Sequence, residues 1–305
     1  MELASKVNDF FVLLFSILVE GMPFILIGAI LSSLVAIYFP QKKLSGFLPK
    51  NKLSKLVTMS LLGNLVPVCE CGNVPFARRM IKQNIPPYLA LTFLLAAPAV
   101  NPIVIVSTLV AFSGDYHILM YRLIFSLIIA VLVGYIFSFF RSKDILNKKL
   151  EECCDHSHSH SHDHDEPEID QKNKVLTLMN IVKNEFLEIT AIFVFGAAIA
   201  AAIQLFLPQS FILSFQQSEW MSILGMIALA FVVSICSNVD AFFALAYSQL
   251  FPTSSIIAFL VFGPMIDIKA IPMLKLIFSW KALILLISMV LTLTFSLCYI
   301  YFVMT

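Results

Sequence analysis

The feature that most limits what this chain can become is the run Phe10–Phe39, thirty residues in which Glu20 is the one charged side chain. A helix rises ~1.5 Å per residue, so about twenty apolar residues cross the ~30 Å hydrocarbon layer of a membrane. Comparable runs follow at Tyr88–Phe112, Ile118–Phe140, Phe186–Leu207, Trp220–Leu250, Ser255–Met273 and Ala282–Met304. Charged residues make up 13% of the 305 residues, about half the ~25% usual in soluble domains. These runs predict an all-α polytopic membrane protein with about eight hydrophobic segments, counting the short run Leu56–Val68. The N-terminal run is too long for the apolar core of a cleavable signal peptide, so no such leader is expected. The charges form no basic face for nucleic acid, and no GxxxxGK[ST] nucleotide loop occurs.

Several runs are interrupted. Leu65–Met80, LVPVCECGNVPFARRM, packs Pro67, Cys69, Glu70, Cys71, Gly72, Asn73 and Pro75 between apolar stretches. Further interruptions are AAPAVNP at Ala96–Pro102, CSNVD at Cys236–Asp240 and GPMID at Gly263–Asp267. Non-helical backbone at membrane depth is tolerated where it is buried in protein or lines a wet cavity. The breaks are therefore the first candidates for a solute site.

Basic residues set the expected orientation. Pro40–Lys55 carries Lys42, Lys43, Lys50, Lys52 and Lys55 and no acid, so it should be cytoplasmic. Arg78, Arg79 and Lys82 lie beyond the first break. A re-entrant hairpin keeps both clusters inside, whereas eight full spans would put one of them outside. Ser113–His117 and Pro208–Glu219 lack Lys and Arg and should be external, while Lys269, Lys275 and Lys281 mark a cytoplasmic end. The expected division is a first membrane repeat at 1–140, a cytoplasmic linker at 141–180 and a second repeat at 181–305. The halves align at a spacing of about 165 residues: Asn73-Val74 with Asn238-Val239, Pro87 with Pro252 and, after one insertion, Pro98 with Pro264 and Asn101 with Asp267. Odd numbers of crossings would invert one repeat relative to the other, an arrangement recurrent in transporters.

Within the breaks, Cys69, Glu70 and Cys71 offer soft thiol ligands and a carboxylate, suited to thiophilic species such as Cu(I), Zn(II) or trivalent arsenic. Asn73, Asn101, Asn238, Asp240 and Asp267 complete the expected substrate or transport set. Glu20, Glu70 and Asp240 are the proton-coupling candidates, because carboxylates inside apolar runs are functional by default. Asp267 also suits a helix cap or a partner for Lys269. Glu20 and Glu188 could face the cavity from the two related helices; Glu188 alternatively suits the membrane interface, and Arg122 reads as a snorkelling residue there. Cys236 and Cys298, in apolar runs, read as inert buried thiols. The adjacent Cys153 and Cys154, like the closely spaced Cys69 and Cys71, are poorly placed for an internal disulfide.

The linker contains His156, His158, His160, His162 and His164 among Asp155, Asp163 and Asp165. Its composition predicts disorder, and its imidazoles suit Zn(II) or another divalent metal. No cofactor is required by any feature of the sequence.

PVCECGNVPFARRM and LAAPAVNP, with the second-half pair CSNVD and GPMID, resemble the predicted-permease family that includes the organoarsenical permeases (ArsP) and the YraQ-type permeases. The resemblance spans both halves and excludes the His-rich linker. It implies a multi-pass permease of a bacterial plasma or inner membrane, in some branches working with a second small membrane subunit. The family's Cys-x-Cys-Gly pattern falls on Cys69, Cys71 and Gly72. Many members carry a small residue between the cysteines, and Glu70 departs from that. The expected function is a secondary permease moving a small solute, a thiophilic metal or metalloid among the candidates, by alternating access coupled to protons or the potential. The rivals are an intramembrane thiol enzyme, against which no His or Lys adjoins Cys69 or Cys71 in sequence, and a non-transporting subunit of a membrane complex.

Overall fold

A computed structural model describes residues 2–38, 49, 51–65, 69–147, 174–206 and 218–304. The His-rich segment with His156, His158, His160, His162 and His164, the pair Cys153 and Cys154, and most of the basic loop after residue 38 lie outside the described residues. In the first half the helices are α1 Glu2–Tyr38, α2 Lys52–Leu65, α3 Glu70–Lys82, α4 Pro87–Ala96, α5 Pro102–Ala111 and α6 Tyr116–Phe137. In the second they are α7 Lys174–Phe206, α8 Glu219–Val233, α9 Asp240–Tyr247, α10 Thr253–Phe262, α11 Ala270–Lys275 and α12 Trp280–Met304. A single helical turn, Ser142–Ile145, follows α6.

Among the described residues, four helices are long and apolar enough to cross a membrane, over Lys6–Leu34, Tyr116–Phe137, Met179–Leu205 and Trp280–Met304. The other apolar helices, α4, α5, α8 and α10, are short. Interruption shortens them: the run expected at Tyr88–Phe112 divides at Ala97–Asn101, Trp220–Leu250 divides before Asp240, and Ser255–Met273 divides after Phe262. Local chemistry fixes these ends. Pro87 and Pro102 stand in the first turns of α4 and α5, where a missing N–H is harmless. Ser234 ends α8 in the left-handed region, φ 50°, a conformation that strains a non-glycine residue. The carbonyls freed there are not left bare: Gln204 Nε2 on α7 donates to Val233 O at 2.6 Å and to Val232 O at 3.2 Å.

The long helices enclose the short ones. α4 is apolar all round and buried from Leu89 to Ala96, as is α10 from Ser254 to Phe262, the pattern of helices with no polar face to show. α2 and α6 pack on α4, and α8 and α12 pack on α10. α1 lies against α7 and α3, α7 against α11, and α6 against α12. Phe11, Val12, Phe15 and Val19 of α1 remain exposed, as lipid-facing side chains do. Two glycines allow the closest approaches. A Cβ at Gly28 would fall 2.2 Å from the Gly72 carbonyl oxygen, and one at Gly196 would fall 2.7 Å from that of Lys269. Thus α1 is seated on the start of α3, and α7 on the start of α11.

A candidate solute site at the helix breaks

Each half-helix that restarts after a break begins with a polar residue. Glu70 is the first residue of α3, and Asp240 the first of α9. Asn101 caps α5, its Oδ1 accepting from Ile103 N at 3.0 Å. Asp267 Oδ1 accepts from Ala270 N at 2.7 Å at the start of α11. Helix starts carry unpaired N–H groups and partial positive charge, so these side chains complement them. The cap anticipated for Asp267 is there, but in the interior: Asp267 is 1% exposed.

The breaks bring two charged groupings together. In the first, Lys269 Nζ lies 3.0 Å from Glu70 Oε1 and 3.2 Å from Asp267 Oδ2. It also donates to the Ser234 carbonyl at 2.5 Å. Lys269 is therefore not a loop charge marking a membrane face, as its place in the sequence suggests. It is 3% exposed and joins breaks from both halves. Glu70 accepts no hydrogen bond at either oxygen, and both polar atoms of the fully buried Asn73 are also without a partner.

In the second grouping, Arg122 on α6 holds Asp240 with two parallel bonds, Nη1 to Oδ1 at 3.0 Å and Nη2 to Oδ2 at 2.6 Å. Its Nη1 also donates to Thr108 Oγ1 on α5 at 3.0 Å. Arg122 is fully buried, which overturns its reading as an interface residue. A guanidinium can turn inward where a carboxylate matches its fork.

Four free thiols are buried among the described residues, at Cys69, Cys71, Cys236 and Cys298. Cys236 is buried, as expected, and stands close to the first break: a ligand atom of each of Cys69, Glu70 and Cys236 lies within 4.8 Å of the others. Cys71 meets Cys69 and feels the charge of Lys269, a cation its sequence neighbours do not supply. Glu20, half-buried on α1, reaches the Cys236 thiol and faces the charges of Lys269 and Glu70. Glu188 lies apart from these groups, pairing with Arg78 at 2.6 Å and remaining half-exposed, as expected of an interface position.

Of the residues singled out in the sequence, Cys69, Glu70, Cys71, Asp267 and Glu20 thus gather at one junction. Asp240 belongs to the arginine pair, Asn101 to its cap, and Asn238 is half-buried with its carbonyl oxygen unpartnered. The pairing of Lys269 with Asp267 was anticipated. Its link to Glu70, the Arg122 pair with Asp240, the approach of Cys236 to Cys69 and the strained Ser234 were not. Lys269 and Arg122 carried a readable signal, since each is a charge within an apolar stretch.

Described residues that are helical throughout their regular structure, with four helices able to span and charged side chains buried at the starts of interrupted helices, define a multi-pass membrane protein. The chain belongs to the predicted-permease family ArsP_1, whose model matches residues 6–303. It is 31% identical over 280 residues to a Streptococcus mutans protein that bears the name of a two-component membrane permease complex subunit, covering 92% of this chain and 90% of that one. It is 35% identical over 284 residues to the UPF0718 protein YcgR of Bacillus subtilis, covering 93% and 92%. No solved structure matches it. The family and the apolar spans place it in the bacterial cell membrane.

Proposed function

We propose that this protein is a secondary permease in which a small solute passes through the junction of the helix breaks by alternating access. The observation that carries the reading is Lys269, which reaches from a break in the second half to Glu70 in the first. Two carboxylates and one ammonium leave one negative charge uncompensated at a buried site. Such a charge is stable only when a proton or a bound cation accompanies it. That requirement couples solute movement to the proton gradient or the potential.

The element order supports a repeat. Each half runs long helix, interrupted pair, interrupted pair, long helix. Gly28 and Gly196, which seat α1 and α7 on helix starts, stand 168 residues apart, as do Glu20 and Glu188. Repeats of inverted topology meeting at interrupted helices put the solute at their interface. The thiols at the junction favour a thiophilic metal or metalloid. The His-rich segment would bind divalent metal weakly on the cytoplasmic side. The relative named for a two-component complex suggests a second membrane subunit.

The reading is tested by flux into proteoliposomes under an imposed pH gradient and potential, with Zn(II), Cu(I), trivalent arsenicals and organic anions as probes. Uptake of one probe, lost in a Cys69→Ser/Cys71→Ser/Cys236→Ser protein, is expected. Turnover of a thiol substrate without net flux would favour the enzyme. No flux from the chain, alone or copurified with its partner, would overturn the permease.

A further inference from the structure

We infer that Cys69, Cys236 and Glu70 form a three-ligand site for a divalent, closed-shell thiophilic cation of the Zn(II) type, shared between the two halves of the chain. The sequence presents Cys69 and Cys71 as the natural thiol pair, one residue apart. The fold makes a different pair. Cys69, at the start of α3, and Cys236, in the break before α9, come together with Glu70 so that one ligand atom from each lies within 4.8 Å of the others. Cys71 reaches Cys69 but is outside that group.

Three observations point to a ligand. All three residues are buried: Cys69 is 1% exposed, Cys236 3% and Glu70 5%. Glu70 Oε1 meets the Lys269 ammonium, but Oε2 has no polar partner, although a buried unsatisfied acceptor costs about 1–3 kcal/mol or more. Asn73, three residues along α3 and so on the same helix face, offers a second buried side chain with no partner.

The donor set selects the ion. Ligands on tetrahedral Zn(II), at about 2.3 Å for sulfur and 2.0–2.2 Å for oxygen, stand roughly 3.5–3.8 Å apart. The three atoms lie within 4.8 Å of one another, so binding asks them to close by about 1 Å at most. Two sulfurs and a carboxylate oxygen suit borderline Zn(II). Cu(I) favours sulfur alone, and trivalent arsenic would take a third thiol in place of the carboxylate. Each thiol releases its proton to water as its sulfur–metal bond forms, and no oxidant or reductant enters. Two thiolates and the Glu70 carboxylate carry one more negative charge than Zn(II) neutralises; the Lys269 ammonium, 3.0 Å from Glu70, offsets it, and Asp267, 3.2 Å from Lys269, is left to be balanced by a proton. Three protein ligands leave the fourth position open, which suits an ion that must also leave.

As cargo this ion rests on the permease reading, but its binding is measured without transport. The test uses the full chain in detergent, thiols kept reduced, with Cys153→Ser and Cys154→Ser removing the linker thiols. Co(II) is the probe, because thiolate-to-cobalt absorption is silent to imidazole ligands in the His-rich segment. The expected result is one Co(II) with a thiolate band, displaced by Zn(II). Cys69→Ser or Cys236→Ser should weaken binding at least about tenfold and remove half the band or more, and Cys71→Ser should leave both near the parent values. Cys236→His, which keeps a ligand, should restore binding with a reduced band and guards against a folding artefact. No band in the parent, or a band lost in Cys71→Ser and kept in Cys236→Ser, would overturn the site. A band without Zn(II) flux would uphold the site while refuting transport of this ion, whereas flux of another probe without a band would refute the site alone.

Discussion

The two buried charge groupings differ in balance. Arg122 and Asp240 are one cation and one anion joined by two parallel bonds, with Thr108 accepting a third. Lys269 serves two carboxylates at 3.0 and 3.2 Å, and Glu70 accepts no hydrogen bond. In the pair only Arg122 Nε lacks a partner and the charges cancel. An unmatched group with unsatisfied acceptors gains from a visitor. On the permease reading proposed above, the first grouping holds the fold and the second handles ions.

The comparison can be broken most severely at the pair. Arg122→Met leaves Asp240 charged and unpaired, and should destabilise the protein by about 3–5 kcal/mol. Thermal unfolding in detergent should record a large fall in Tm, and Arg122→Met/Asp240→Leu should recover most of it. If the double variant were as unstable as the single one, pairing would not be what Arg122 provides. At the junction, Lys269→Met should cost less, about 1–3 kcal/mol, because either carboxylate can take up a proton in place of the lost cation. Its flux should nonetheless fall at least about tenfold. A Tm loss as large as that of Arg122→Met would erase the distinction.

A smaller effect sharpens the seating of α1. Gly28→Ala places a methyl group against the Gly72 carbonyl and should cost about 1–2 kcal/mol as α1 moves away from α3. Flux and Tm should fall together, since the start of α3 carries Glu70. Cys298→Ser, buried on α12 away from both groupings, should change flux little. A large loss there would mean that thiols matter beyond the junction.

The sequence made the breaks legible because proline, glycine and polar residues inside apolar runs have local consequences. AAPAVNP ends α4 and caps α5 through Asn101, CSNVD leads into α9, and GPMID follows the end of α10. Pairing across the breaks was not legible. Glu70 meets a lysine 199 residues away, and Asp240 an arginine 118 residues away. Helix periodicity carries no trace of such partners. Lys269 looked like a topological marker because the positive-inside rule counts charges without asking whether they are buried. The proximity of Cys236 to Cys69 and Glu70 left no trace in the sequence because those residues come from the other half of the chain.

The most direct test of the junction is flux in proteoliposomes of Asp267→Asn beside the unaltered protein, using whichever probe the unaltered protein carries. Asparagine keeps an acceptor for Ala270 N, so Tm should move by less than about 1 kcal/mol equivalent. The uncompensated charge, however, is gone. The account predicts flux reduced at least about tenfold, with Arg122 and Asp240 undisturbed. Unchanged flux at unchanged Tm would contradict it, because solute movement would then not depend on the charge imbalance at Lys269.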